Sequence, residues 1–135
     1  AKLNASNDFN GNVIREANFV ANTEEAYGPI EVSSSQNLRF VNGHYQLITV
    51  KADVTLTLVD WPETGKLGKI RCAVKGDGTS RLVVFDAGAN RVLKTDTAWP
   101  DSFLAISETD PIFIDLWSSD GGLTVYGQYH GQFTV

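Results

Sequence analysis

The residues best suited to chemistry are few and scattered. The chain has two histidines, His44 and His130, and one cysteine, Cys72. A zinc centre draws three or four His, Cys or carboxylate ligands together, often with His-x-x-x-His spacing. His44 and His130 have no such spacing, and each reads as a surface or interface group. Cys72 sits in an alternating segment and has no second cysteine to pair with, so it reads as a small buried hydrophobe. No Gly-x-Ser-x-Gly elbow is present, and Ser33-Ser34-Ser35 is loop-like. Gly76-Asp77-Gly78-Thr79-Ser80 reads as a hairpin turn in preference to a phosphate cradle.

Carboxylates are plentiful: Asp77, Asp86, Asp96, Asp101, Glu108, Asp110, Asp115 and Asp120. A glycosidase needs two of them across a groove, roughly 5–10 Å apart. A calcium site needs several oxygens converging from one or two loops. These residues lack the spacing of an EF-hand loop and read as turn formers and solubilising charges. Asp115 is the exception. It interrupts an apolar strand between Ile114 and Leu116 and shares a face with Phe113 and Trp117. A buried unpaired carboxylate is costly, so Asp115 must reach solvent or a partner. A structural ion pair or a subunit contact is the expected role. No residue is assigned to catalysis, a metal or a cofactor, and the chain reads as non-enzymatic.

Aromatic side chains offer a different chemistry, since their apolar faces can stack on sugar rings. Trp99, Tyr126 and Tyr129 lie near loops and are the candidate glycan contacts. Trp61 and Trp117 end amphipathic strands and read as packing residues, with Trp61-Pro62 a core plug.

The elements that position these groups alternate with period two. Val54, Leu56 and Leu58 alternate with Thr55 and Thr57, and Ile70, Cys72 and Val74 with Arg71 and Ala73. Tyr45–Val50, a short strand over 103–106, and the segment around Leu123, Val125 and Tyr129 follow. Leu82-Val83-Val84-Phe85 and Ile112-Phe113-Ile114 are continuous apolar runs, expected to be buried on both faces. Asn42-Gly43 predicts a hairpin between the strand at 38–41 and the one from Tyr45. Further turns fall at Gly76–Gly78, Gly88–Asn90, Trp99–Asp101 and Ser119–Gly122. Eight or nine short strands predict an all-β fold, an antiparallel β-sandwich with jelly-roll-like order. No repeat of solenoid length is visible.

Residues 1–29 differ, being rich in Asn and Ala. Val13, Ala17, Val20 and Ala21 have helical spacing, so residues 12–22 are a candidate short helix. The segment is expected to be an extended or partly helical arm, with residues 30–135 forming the β domain. Phe9, Val13, Ile14, Phe19 and Val20 are its candidate anchoring residues.

A chain of 135 residues suits one domain that folds without disulfide or metal. The formal charge of −5, with basic residues dispersed, argues against nucleic acid as a partner. No run approaches the roughly 18 apolar residues of a membrane span, and none looks like a signal peptide. Met is absent, and Ala1 fits removal of an initiator Met.

Val54 to Trp61, Pro62, Gly65-Lys66-Leu67-Gly68 and Asp120-Gly121-Gly122 leading to Tyr126-Gly127 together resemble a module of bacteriophage tail fibres and other virion proteins. Asn7 to Ile14 resembles the lead-in of that module. The resemblance implies an antiparallel β domain that assembles, often as a trimer, on the particle exterior. It implies other virion proteins as partners and, among relatives, contact with host surface glycans. It carries no catalytic residue to this chain. With no long shaft and no coiled-coil or collagen-like repeat, the expectation is a capsid decoration protein or a short head or tail fibre. The alternative is the glycan-binding adhesin tip of a tail fibre.

Overall fold

The computed structural model describes residues 9–135. Ten strands form two sheets: β1 (Ala26–Val32), β2 (Gln36–Arg39), β3 (Tyr45–Val50), β4 (Val54–Val59), β5 (Gly68–Lys75), β6 (Arg81–Asp86), β7 (Val92–Thr95), β8 (Leu104–Ala105), β9 (Ile112–Ser118) and β10 (Thr124–Gln132). The six-stranded sheet has the order β1-β3-β5-β9-β10-β7, and the four-stranded sheet the order β2-β4-β6-β8. The fold is all-β, as the alternation predicted.

The pairing differs from the antiparallel, jelly-roll-like order expected, because both sheets are mixed. The first six strands alternate between the sheets, so the chain winds as a coil. Each return to the same sheet passes through a strand of the other, which supplies the long crossover that parallel pairing requires. Thus β1 pairs parallel with β3, and β3 with β5. In the second sheet β2 pairs parallel with β4, and β4 with β6. The antiparallel pairs are β5 with β9, β9 with β10, and β6 with β8. The coil has unequal turns. Ile30 lies beside Ile48, whereas Tyr45 lies beside Arg71.

The expected hairpin at Asn42-Gly43 is therefore an arch between sheets. A two-residue type I′ turn needs positive φ at both central residues. Here Gly43 has φ 131°, but Asn42 is not among the positive-φ residues. Phe40–Asn42 instead forms a short 3-10 turn closed by the Gly43 N–H on the Phe40 carbonyl. The buried Gln46 side chain donates to the Arg39 and Gly43 carbonyls at 2.8 and 3.0 Å, which pins the arch to the core. Gly76–Gly78 is likewise an arch, from β5 to β6 across the two sheets. Gly76 is required there, since a Cβ would come within 2.7 Å of the Ala105 carbonyl oxygen.

Both sheets feed one core. Ile48, Val50, Ile70, Val74, Ile114 and Leu116 come from the larger sheet, and Leu56, Leu58, Val83 and Phe85 from the smaller. The apolar side chains buried there are the main stabilising term, each Val, Leu, Ile or Phe contributing about 1.5–3 kcal/mol before chain entropy is set against it. β6 is buried on one face only, contrary to expectation: Val83 and Phe85 point inward, and Leu82 and Val84 are exposed. In β9 Ile112 and Ile114 are buried, while Phe113 is half-buried on the outer face against Phe133.

Strand pairing begins at Ala26, inside the range assigned to the arm. Every residue from 9 to 26 is exposed. The candidate helix over 12–22 does not form, and Glu16 and Ala21 adopt positive φ there. A short helix is marginal unless its apolar face packs on something, and this segment has no such surface. Residues 1–8, which include part of the lead-in at Asn7 and Asp8, lie outside the described residues.

Candidate functional site

The outer face of the six-stranded sheet gathers the polar and aromatic groups that the core excludes. Register sets them in two rows across the strands. One row is Tyr45, Arg71, Asp115 and Gln128. The next is Lys69, Trp117, Tyr126 and Lys94. Alternation explains the arrangement, because Ile70, Cys72, Ile114, Leu116 and Val125 occupy the intervening inward positions. An open depression of about 790 Å³ runs along the first row and takes in Lys69 and Trp117 of the second, with Tyr126 and Lys94 outside its lining.

Asp115 has the partner that the sequence demanded. Arg71 Nε and Nη2 donate to its two carboxylate oxygens at 2.8 and 2.9 Å. His130 Nε2 lies 2.8 Å from Oδ2 of the same carboxylate. The Arg71 hydrogen bonds hold the Asp115 carboxyl below the usual carboxylate range; burial opposes this and His130 adds to it. The same pairing raises the Arg71 guanidinium. Directly behind the row, burial pushes the Cys72 thiol up to about 12, with the Asp115 charge as a smaller cause. A thiol so held is not a nucleophile at neutral pH.

An Asp–His pair invites comparison with a catalytic triad, but a triad also needs a hydroxyl or thiol at the imidazole. Among the described residues, the side-chain hydrogen bond of His130 is the one to Asp115. His44 sits at the edge of the depression, 3.6 Å from Glu24. No group of three or more His, Cys, Asp or Glu among the described residues could hold a metal ion. The arrangement can neutralise Asp115 and present rings, amides and cations to a ligand.

The candidate glycan contacts do not share a surface. Tyr126 is exposed on the outer face and stacks with Trp117, ring centroids 5.9 Å apart and planes 22° apart. Trp99 and Tyr129 pack inward. Trp99 lies edge-on to Phe85 at 5.9 Å, and Tyr129 edge-on to the buried Phe103 at 5.8 Å. Trp117, read from sequence as a packing residue, is instead half-buried beside Tyr126. Trp61 does pack, stacked on Phe40 at 5.7 Å. Nothing in the local sequence marks Lys69, Arg71 or Gln128 as a site residue. The usable signal was that Lys69 and Arg71 alternate with Ile70 and Cys72, as Asp115 and Trp117 alternate with Ile114 and Leu116.

The candidate anchoring residues Phe9, Val13, Ile14, Phe19 and Val20 are all exposed, with Val20 at 84%. They lie along the segment before β1.

The class defined so far is an all-β domain of two mixed sheets, with an exposed segment before β1 and an aromatic, charged outer face. Comparison with protein-family models, with curated proteins and with solved structures finds no match.

Proposed function

We propose that this chain is a non-enzymatic structural protein of a bacteriophage virion. It is a capsid decoration protein or short head or tail fibre on the particle exterior. The β domain is a two-sheet sandwich that projects outward and assembles as a homotrimer. The arm anchors it to another virion protein.

The observation that carries this reading is the arm. Five large apolar side chains, Phe9, Val13, Ile14, Phe19 and Val20, stand exposed along a segment that adds nothing to the core. Apolar surface of that kind gains about 25 cal/mol per Å² once a partner covers it. Many such arms on a symmetric particle sum their contacts, so weak single anchors hold firmly together. The resemblance of Val54–Gly68 and Asp120–Gly127 to virion modules supports the same assignment.

The test compares the full chain with a variant lacking residues 1–22, by light-scattering mass and by binding to emptied capsids. Loss of capsid binding with the β domain still folded is the expected result. Unchanged binding after the deletion overturns the proposal.

A further inference from the structure

The aromatic row on the outer sheet face carries a lysine at each end. Arg39, Lys51, Lys66, Arg71 and Arg81 each have an acidic partner within 4 Å. Lys69 and Lys94, like Arg15, Lys75 and Arg91, have no ion pair among the described residues, but they alone of these share a register row with Trp117 and Tyr126. Both are exposed, and they bracket the Trp117–Tyr126 stack in one register row. Of the acids nearby, Asp115 is held by Arg71 and His130, and Glu24 lies 3.6 Å from His44. In the adjacent row the Gln128 amide makes no side-chain hydrogen bond among the described residues.

We propose that this face binds an acidic oligosaccharide. The Trp117–Tyr126 pair carries the apolar face of a sugar ring, which suits rings with one apolar and one polar aspect. Lys69 and Lys94 receive carboxylate or sulfate groups on either side. Gln128 takes ring hydroxyls. Three strand spacings of about 4.8 Å separate the two lysines along the row, so their backbones stand roughly 14 Å apart. That span exceeds one ring and selects an oligosaccharide over a monosaccharide. The binding goes beyond the anchoring role of the arm and is independent of it.

The test is calorimetric titration of the full chain with three probes: a hexameric galacturonate, a heparin hexasaccharide and neutral maltohexaose. Binding of either acidic probe, at least tenfold tighter than maltohexaose and weakening as salt rises, is expected. The two acidic probes distinguish carboxylate from sulfate recognition. Trp117→Ala should weaken binding about tenfold. Joint Lys69→Ala and Lys94→Ala substitution should remove most of the salt dependence. Tyr126→Ser, at an exposed position, provides a second probe of the stack should Trp117→Ala fail to fold.

Equal binding of the neutral probe overturns the acidic assignment. Absence of binding by both acidic probes overturns the site, as does binding that none of the variants changes. A self-dimer that Tyr126→Ser dissolves also overturns it, by giving the face to a second copy. Because the probes are soluble and the arm is intact, failure here is separable from failure of capsid anchoring.

Discussion

Arg71 and Asp115 face each other across the antiparallel β5–β9 pair and are joined by two parallel hydrogen bonds of 2.8 and 2.9 Å. The fork fixes the middle of the outer sheet face, and His130 closes it from β10. The Arg71 side chain is 52% exposed, so its attraction to Asp115 is screened by water. Arg71→Ala is therefore expected to cost about 1 kcal/mol, near the upper end for exposed pairs, because it also strips one partner from a half-buried carboxylate. That lowers the melting temperature by about 4 °C. A thermal melt at low and high salt checks it. The deficit should shrink as salt rises, and equal melting of the two proteins at low salt excludes a stabilising pair.

Asp77 and Arg81 form the other two-pronged pair, at the arch between β5 and β6. Arg81 donates to both Asp77 oxygens at 3.0 and 2.7 Å. These hydrogen bonds carry the Asp77 carboxyl down to about 2. A folded-state value below the unfolded one near 3.9 gives stability that is fully present above about pH 4. It is lost as pH falls toward 2, when the folded carboxylate takes up its proton. Asp115 shifts in the same direction and adds to the same loss. Asp77→Asn should thus melt below wild type at pH 5 and approach it at pH 2. A constant gap over that range is the contrary outcome.

The turn between β9 and β10 depends on Gly122 and much less on Gly121. Both have positive φ, +83° and +72°. A Cβ on Gly122 would overlap the Trp61 ring and stand 2.7 Å from an Arg91 nitrogen, whereas one on Gly121 meets nothing nearer than 3.6 Å. Gly121→Ala is expected to cost about 1 kcal/mol, from backbone strain alone. Gly122→Ala adds displacement of Trp61 and should cost about 2–4 kcal/mol. Urea unfolding of the two variants separates these terms. Equal midpoints contradict the close approach.

How much was legible depended on whether the information was local. Strand positions were, since Val54–Leu58 and Ile70–Val74 alternate with period two and that period alone decides which side chains are buried. Pairing was not. Asn42-Gly43 says that the chain turns, but not whether it returns to its own sheet or crosses to the other. The coil left no repeat to detect, because Ile30–Ile48 and Tyr45–Arg71 mark turns of eighteen and twenty-six residues. The same gap limited the site. Asp115 announced that it needed a partner, while Arg71 was identifiable only once β5 and β9 were known to pair. The arm's helical spacing misled for a physical reason: periodicity requires a surface, and residues 12–22 have none.

Trp99 gives the sharpest contrast between sequence proximity and position. It lies in a loop-rich stretch, which favoured a surface role. In the fold it joins Phe85, Phe103 and Tyr129 in one aromatic cluster, at 5.9 and 6.1 Å from the two phenylalanine rings, with Phe103 bridging to Tyr129 at 5.8 Å. Gly127 accommodates the indole, since a Cβ there would come within 2.8 Å of it. Removing the ring leaves a cavity bordered by the buried Phe85 and Phe103. Trp99→Ala is therefore expected to destabilise by about 3 kcal/mol, toward the low end for Trp deletions because the indole is only partly buried. Trp117→Ala, on the outer face, should cost about 1 kcal/mol through its lost stacking on Tyr126. Denaturant unfolding of both variants decides the order. A larger loss at Trp117 than at Trp99 would place the structural aromatic on the outer face and contradict the inward packing of Trp99.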